Sequence, residues 1–563
     1  MEFSRPWFKH YPPEIPHEIY WEKKPLHLYL KNTAEEFMDK IAIHFMGKEI
    51  SYHELYEQTL KMANYLHGLG VQKGDRVSIM LPNCPQAVIA YYAILEIGGT
   101  VVQTNPLYTE RELEYQMNDS GATCIITLDL LYPKVSKVKA LTNLKNIIVT
   151  SIKDYLPFPK NILYPIVQKK QQNMVVQIEK TEDVHPWKYI MKTSDPKEFD
   201  VPIDIEEDVA ILQYTGGTTG FPKGVMLTHN NLVSNTKMCS VWLHDCKRGE
   251  ESILGIIPFF HVYGMTAIMN MSIMEGYKMI LIPKFDVPTV LKSIQKQKPT
   301  LFPGAPTIYI GLLNHQHLKK YDLSSIKYCI SGSAPLPVEV QQKFEKETGG
   351  KLVEGYGLSE ASPITHSNLL HSTNGKKGSI GIPWPNTDSA IYSFEKGEIA
   401  GPNEYGEIIV KGPQVMKGYW NNEEETSAVI RDGWLYTGDV GYMDEDGYFY
   451  IVDRKKDMII AGGFNIYPRE IEEILYEHEK IQEAVVAGVP DPYRGETVKA
   501  YIVLKEGMQA TEEELDQFCR QHLAAYKVPR IYEFRKELPK TAVGKILRRQ
   551  LIEEEKKKLN EVH

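Results

Sequence analysis

Tyr214-Thr-Gly-Gly-Thr-Thr-Gly-Phe-Pro-Lys-Gly224 packs four glycines, three threonines and one lysine into eleven residues. Glycine lets a backbone approach a ligand closely and adopt positive φ. Successive exposed N–H groups form an anion-binding nest. Threonine hydroxyls and a lysine would complete a cradle for polyphosphate, such as that of ATP. The pattern Gly-x-x-x-x-Gly-Lys-Ser/Thr cannot be written through it, so this is not a Walker A loop. Alone, the stretch reads equally well as a flexible Gly/Thr surface loop. The rest of the chain decides between the two.

The chain has 563 residues, too many for one core and enough for several subdomains. A hydrophobic content of 42% and a charged content of 24% are those of an ordinary globular protein. A formal net charge of -9 argues against a nucleic-acid partner. Six scattered cysteines without a Cys-x-x-Cys pair argue against a zinc site or a disulfide framework and suit a reducing, cytoplasmic setting. The N-terminal stretch, rich in proline and charge, lacks the apolar run of a signal peptide. Ile253 to Ile273 is apolar but interrupted by Pro258, His261, Gly264 and Asn270, so it reads as buried strand and helix, not as a membrane span.

Short apolar runs alternate with helical spacing through the first four-fifths of the chain. Asp75–Leu81, Thr100–Thr104, Cys124–Thr127 and Asn146–Thr150 read as strands and Pro85–Ile97 as a helix. The alternation predicts an α/β fold with layered, mostly parallel sheets. The texture changes after Asp453-Arg-Lys-Lys-Asp457. Pro468–Leu475 reads as a helix, Ala484–Val489 and Lys499–Leu504 as strands, and Thr511-Glu-Glu-Glu514 as a capping box. A large multi-subdomain N-terminal domain, 1–455, followed by a small α+β domain, 456–563, is therefore expected. Leu156 to Ile178 lacks acidic residues and mixes lysines, prolines and apolar side chains. It reads either as a surface insertion or as a patch for an anionic membrane surface at the inner face of the cell membrane.

Further segments carry chemistry. Glu354-Gly-Tyr-Gly-Leu-Ser-Glu360 sets an aromatic between glycines, able to stack on a base, with a carboxylate nearby that suits Mg²⁺. Tyr436-Thr-Gly-Asp439 offers an acid for ribose hydroxyls, and Asp453-Arg454 a guanidinium. Pro539-Lys-Thr-Ala-Val-Gly-Lys545 offers a lysine near the C-terminus. Singly, these also read as turns, caps and a solvated lysine.

Together and in this order, from about Asn32 to Leu551, they resemble the acyl-CoA synthetases of the adenylate-forming superfamily. Asp432-Gly-Trp-Leu-Tyr-Thr-Gly-Asp439 followed by Asp453-Arg-Lys-Lys-Asp-Met-Ile-Ile-Ala-Gly-Gly-Phe-Asn-Ile-Tyr-Pro468 is similar to the signature of fatty-acyl-CoA synthetases. The resemblance implies two half-reactions: a fatty acid, long-chain by this signature, attacks ATP to give an acyl-adenylate and pyrophosphate, and CoA then takes the acyl group and releases AMP. It implies that Thr215, Gly216, Gly217, Thr218, Thr219 and Lys223 hold the β- and γ-phosphates, with Mg²⁺ on Glu360 and Thr218. It places Ser333, Ala334, Pro335, Tyr356 and Gly357 at the adenine and Asp439 and Arg454 at the ribose. His261 would lie beside the substrate carboxylate, although its apolar neighbours equally suit a core histidine. Lys545 would reach the α-phosphate from a mobile small domain that turns about Lys456, and Gly462 and Gly463 would let the pantetheine arm pass.

For the acid itself, Phe260-His261-Val262 lacks the aspartate that would pair an α-ammonium, which argues against an amino-acid substrate. Tyr263, Gly264, Met265 and Gly332 read as an apolar wall suited to an alkyl chain. Met265 stands where some long-chain relatives have a gating tryptophan. An aryl- or medium-chain acid ligase shares every nucleotide motif and is the alternative. A non-catalytic sensor on the same fold is disfavoured by the complete residue set. Chain length and oligomeric state, a homodimer among the options, stay open.

Overall fold

In the computed structural model, residues 4–164, 176–179, 181–215, 222–371, 375–454, 457–461, 464–491, 494–541 and 545–562 are described. The largest sheet has eight strands. Six adjoining strands of it, out to one edge, are parallel: Val209–Thr215, Thr100–Gln103, Arg76–Met80, Cys124–Leu128, Asn146–Thr150 and Val184–Pro186. All five residues of Cys124–Leu128 are buried, as expected of a parallel strand covered on both faces. Helix Pro85–Glu96 starts on a proline and is buried on every side, which accounts for its nearly continuous apolar sequence. Strands Arg76–Met80, Thr100–Gln103, Cys124–Leu128 and Asn146–Thr150 and helix Pro85–Glu96 match the sequence expectation to within a residue or two at each end.

A second sheet carries Ser252–Gly255, Lys278–Leu281, Ile41–Phe45 and Lys48–Ser51. A third carries Tyr328–Ser331, Lys351–Gly357, Ile364–Ser367 and Ile382–Pro383, and Leu301 bridges these two sheets through Ile253 and Tyr328. The stretch from Ile253 to Ile273 is a buried strand followed by helical turns, and no helix among the described residues is long and apolar enough to cross a membrane.

An antiparallel sheet then forms from Asp388–Tyr392, Gly406–Lys411, Trp434–Met443, Ile430–Arg431 and Phe449–Arg454. The last sheet, Phe464–Ile466, Ile459–Ala461, Gly495–Leu504, Ile481–Asp491 and Ile531–Phe534, packs with helices Pro468–Glu477 and Glu512–His522 around its own apolar clusters. The expected boundary at 455/456 falls outside the described residues. Thr511 caps its helix by accepting from the Glu514 N–H at 3.2 Å, but the expected capping box is only half formed. The Glu514 carboxylate instead accepts from Lys480 Nζ at 2.6 Å.

Candidate active site

A cavity of about 1060 Å³ opens where several strands end. Thr215 closes strand Val209–Thr215, and the antiparallel register sets it opposite Lys223 at the start of Lys223–Thr228. Gly332 and Ser333 follow the end of Tyr328–Ser331, and Tyr356 and Gly357 end strand Lys351–Gly357. All six residues line the cavity. Open α/β sheets bind ligands at such strand ends.

At one end, Tyr356 Oη donates to Asp439 Oδ2 at 2.6 Å, while Arg454 Nε lies 3.2 Å from Asp439 Oδ1. Strand pairing sets Asp439 directly across from Arg454, so the hairpin register itself builds this acid–guanidinium pair. Tyr356 thus orients Asp439 besides offering its ring to the cavity. Its flanking glycines leave room for neighbours: a Cβ on Gly357 would lie 2.2 Å from the Pro363 carbonyl oxygen. Ser333 holds φ at +70°, a left-handed backbone uncommon outside glycine, and lines the cavity with Ala334 and Pro335.

At the opposite end, Lys223 Nζ lies 2.6 Å from Glu425 Oε2 and 5.3 Å above the centre of the Tyr419 ring. Tyr419 Oη donates to Glu360 Oε1 at 2.8 Å. Glu360, Tyr419, Lys223 and Glu425 therefore form one connected polar wall.

His261 lines the same cavity. Its backbone N–H donates to the Pro258 carbonyl at 3.1 Å, and Gln213 Nε2 donates to the neighbouring Phe260 carbonyl at 2.9 Å. Burial, and then the charge of Lys545, push the imidazole down to about 4, so it is neutral near pH 7. Tyr263 and Gly332 face the cavity together; a Cβ on Gly332 would lie 3.1 Å from the Tyr263 ring. Gly264 and Met265, expected in the same wall, do not reach it. Met265 is wholly buried in the core, and Gly264 packs onto the carbonyls of Ile257 and Pro258, where a Cβ would lie 2.4–2.5 Å from oxygen. The helical turn after His261 places Met265 in the core and Gly264 against these carbonyls, off the cavity lining. Behind Tyr263 lies a second, apolar cavity of about 30 Å³ that shares Tyr263, Ile330 and Ile364 with the first and is also lined by Ala267, Met271 and Trp384.

Lys545 lines the large cavity from the C-terminal part of the chain. Lys545 is tied to Thr541: the Lys545 N–H donates to Thr541 Oγ1 at 3.1 Å, and the Thr541 N–H donates to the Lys545 carbonyl at 2.8 Å. Three residues on, Arg548 reaches Asp457 at 3.0 Å and Glu472 at 2.7 Å. Gly216, Gly217, Thr218, Thr219, Lys456, Gly462 and Gly463 lie outside the described residues. Glu425 and Tyr419 belong to none of the motifs legible in the sequence. Their only trace was an acidic run after an aromatic pair, with nothing to select one member.

A family model described as AMP-binding enzyme matches residues 30–420, and one described as AMP-binding enzyme C-terminal domain matches 470–545. The chain is 64% identical to a long-chain-fatty-acid–CoA ligase of Bacillus subtilis, over 99% of each protein. It is 39% identical to one of Salmonella typhimurium, over 98% of this chain and 99% of that protein. Among solved structures, an anthranilate CoA ligase in complex with anthranoyl-AMP superposes with a TM-score of 0.85 at 26% identity, covering 95% of this chain and 98% of that one. ATP-bound MatB from Rhodopseudomonas palustris gives 0.82 at 28%, covering 94% and 99%. The adenylate-forming fold, the cavity at its strand ends and these matches agree: the chain belongs to the AMP-binding enzyme family.

Proposed function

We propose that this chain is an AMP-forming long-chain fatty-acid–CoA ligase, using ATP and CoA as co-substrates. The observation that carries the reading is Lys545 entering the same cavity as His261, close enough to depress its pKa, with the Tyr356–Asp439–Arg454 cluster at one end and Lys223 at the other. The first half-reaction brings a carboxylate against the α-phosphate, one anion against another. A fixed cation at that point offsets the repulsion and positions the reactants. Lys545 fills that role, and the neutral His261 beside it bounds the carboxylate site without adding charge. Asp439 and Arg454 hold the ribose, Ser333, Ala334, Pro335, Tyr356 and Gly357 the adenine, and Thr215 and Lys223, with the loop between them, the β- and γ-phosphates.

The donor set fits Mg²⁺. Glu360 offers carboxylate oxygen in the cavity. Mg²⁺ is commonly held by one or two carboxylates together with substrate phosphates. Glu360 and Thr218 would hold it, and it would neutralise phosphate charge. For the second half-reaction, the small domain 456–563 turns about Lys456, and Gly462 and Gly463 admit the pantetheine arm, as the family resemblance implies.

An alkyl substrate is supported by the apolar recess behind Tyr263. At about 30 Å³ it has room for about one water molecule, so a long chain must part the side chains around it. A peripheral contact with the inner face of the membrane is supported by exposed Phe158, Ile162 and Leu163 beside Lys160. Cosedimentation with anionic vesicles, unchanged in Phe158→Ser, would count against that contact.

Pyrophosphate release with ATP across acids from acetate to oleate, followed by addition of CoA, tests the main reading. Release peaking with long chains is expected. Release with aryl or medium-chain acids alone would move the substrate class, and none with any acid would refute the reading.

A further inference from the structure

Lys223 is expected to hold phosphate, yet in this structure it already holds an anion. Its ammonium sits 2.6 Å from Glu425 Oε2 and above the Tyr419 ring, with the lysine side chain 15% exposed and the glutamate 32%. Both residues line the large cavity. The carboxylate is held in place by its helix. Asn422 Oδ1 accepts from the Glu425 N–H at 3.1 Å, which makes Glu425 the third residue of helix Glu423–Val429. The next residue, Thr426, accepts from the Tyr419 N–H at 2.8 Å and donates to the Asn422 carbonyl at 2.8 Å. A Cβ on Gly418 would lie 2.8 Å from Thr426, so strand and helix are in close contact. The helix that carries Glu425 is thus tied to the strand that carries Tyr419, and Tyr419 in turn bonds Glu360.

A lysine in this place cannot give its full charge to both Glu425 and a phosphate. Charge-assisted contacts of an ammonium with carboxylate and with phosphate are of similar kind. Exchanging one for the other therefore yields much less than a phosphate would gain from an unpaired lysine.

We propose that Glu425 is a positioning residue that acts through Lys223: it pairs the lysine until polyphosphate binds, is displaced by the β- and γ-phosphates, and reclaims the lysine as pyrophosphate leaves. Before ATP arrives, the pair keeps the ammonium at the polyphosphate end. After bond cleavage, the carboxylate competes for Lys223 and weakens the hold on pyrophosphate. AMP, which has neither β- nor γ-phosphate, is indifferent to the exchange. This inference rests on the proposed role of Lys223 as a polyphosphate ligand.

Calorimetric titration of the full-length enzyme with pyrophosphate, and separately with AMP, tests it. Glu425→Gln keeps the shape and an acceptor oxygen but removes the charge. It is expected to tighten pyrophosphate binding about fivefold, the upper range for a partly exposed ion pair, and to leave AMP binding unchanged. In Lys223→Met, the further change Glu425→Gln is expected to add no tightening, because the competition is for the lysine. Equal or weaker pyrophosphate binding by Glu425→Gln would overturn the inference. So would tightening that persists in Lys223→Met, which would reduce Glu425 to a general repulsive charge. Failure of the wild-type enzyme to bind pyrophosphate would instead strike the assignment of Lys223 on which the inference stands.

Discussion

Gly264→Ala separates a packing glycine from a pocket wall. Gly264 has φ -64° and ψ -39°, an ordinary helical backbone, so alanine meets no conformational penalty there. The added methyl, however, would lie 2.4 Å from the Pro258 carbonyl oxygen and 2.5 Å from that of Ile257. An unstrained contact is about 1 Å longer, so one side must move by that much. The carbonyl side is anchored: Asn83, fully buried, donates to the Ile257 carbonyl at 2.8 Å and to that of Gly255 at 3.1 Å, and accepts from the Phe259 N–H at 2.8 Å. The turn that begins at His261 is the part that yields, and it carries the imidazole away from the cavity. Overpacking of this kind costs about 1–3 kcal/mol of stability. Misplacing a group in the site by about 1 Å can cost about 100-fold in rate. Urea denaturation and the rate of pyrophosphate release measure the two effects, and both should fall, by a similar factor for every acid tested. A variant of unchanged stability with a shifted chain-length preference would refute the packing argument and return Gly264 to the substrate wall.

Lys545→Ala should slow adenylate formation by about 10²–10³, the usual loss of one preorganised electrostatic contact, and spare thioester formation from supplied acyl-adenylate; equal loss in both half-reactions would contradict it. Burial pushes His366 down to about 3 from 6.5. On acidification the unfolded chain takes this proton first, so the contribution to stability is complete above about pH 6.5 and is lost as pH falls toward 3, at about 1.4 kcal/mol per unit. His366→Gln should therefore flatten the fall of the denaturation midpoint between pH 6.5 and 4.5, and an unchanged slope would refute this. If the alkyl chain enters the recess behind Tyr263, each added CH₂ contributes about 0.8 kcal/mol, or about fourfold in kcat/KM. Ala267→Leu should remove that gain for long acids and leave short ones unchanged; equal effects on both would place the chain elsewhere.

The residues that were legible in the sequence are those whose neighbours along the chain explain them. Asp439 and Arg454 each close a compact motif, and a two-strand register brings them face to face. Parallel strands such as Cys124–Leu128 announce themselves as unbroken apolar runs because both faces are covered. Residues whose meaning depends on direction were less legible. Around His261, residue type suggested an apolar wall, but a helical turn puts Tyr263 on the cavity lining and leaves Gly264 and Met265 off it. Glu425 is one of three consecutive acids, and only its capping by Asn422 and the tie through Thr426 select it for Lys223. Glu354 and Arg469 lie 115 positions apart and meet only through folding.

That last pair shows what holds the two ends of the chain around one cavity. Arg469 approaches Glu354 at 3.5 Å with both side chains under a tenth exposed, and Arg548 approaches Asp453 at the same distance. Even so, burial pushes Glu354 up to about 7 and Asp453 up to about 6, against the pull of the arginines. Desolvation therefore outweighs what the charge pairing returns, and pairs of this kind add no net stability. Their effect is geometric. Glu354 lies two residues before Tyr356, which orients Asp439, and Arg548 lies three residues after Lys545. A seam of directional contacts with little net energy fixes the lysine relative to the nucleotide end, and for the same reason costs little to open.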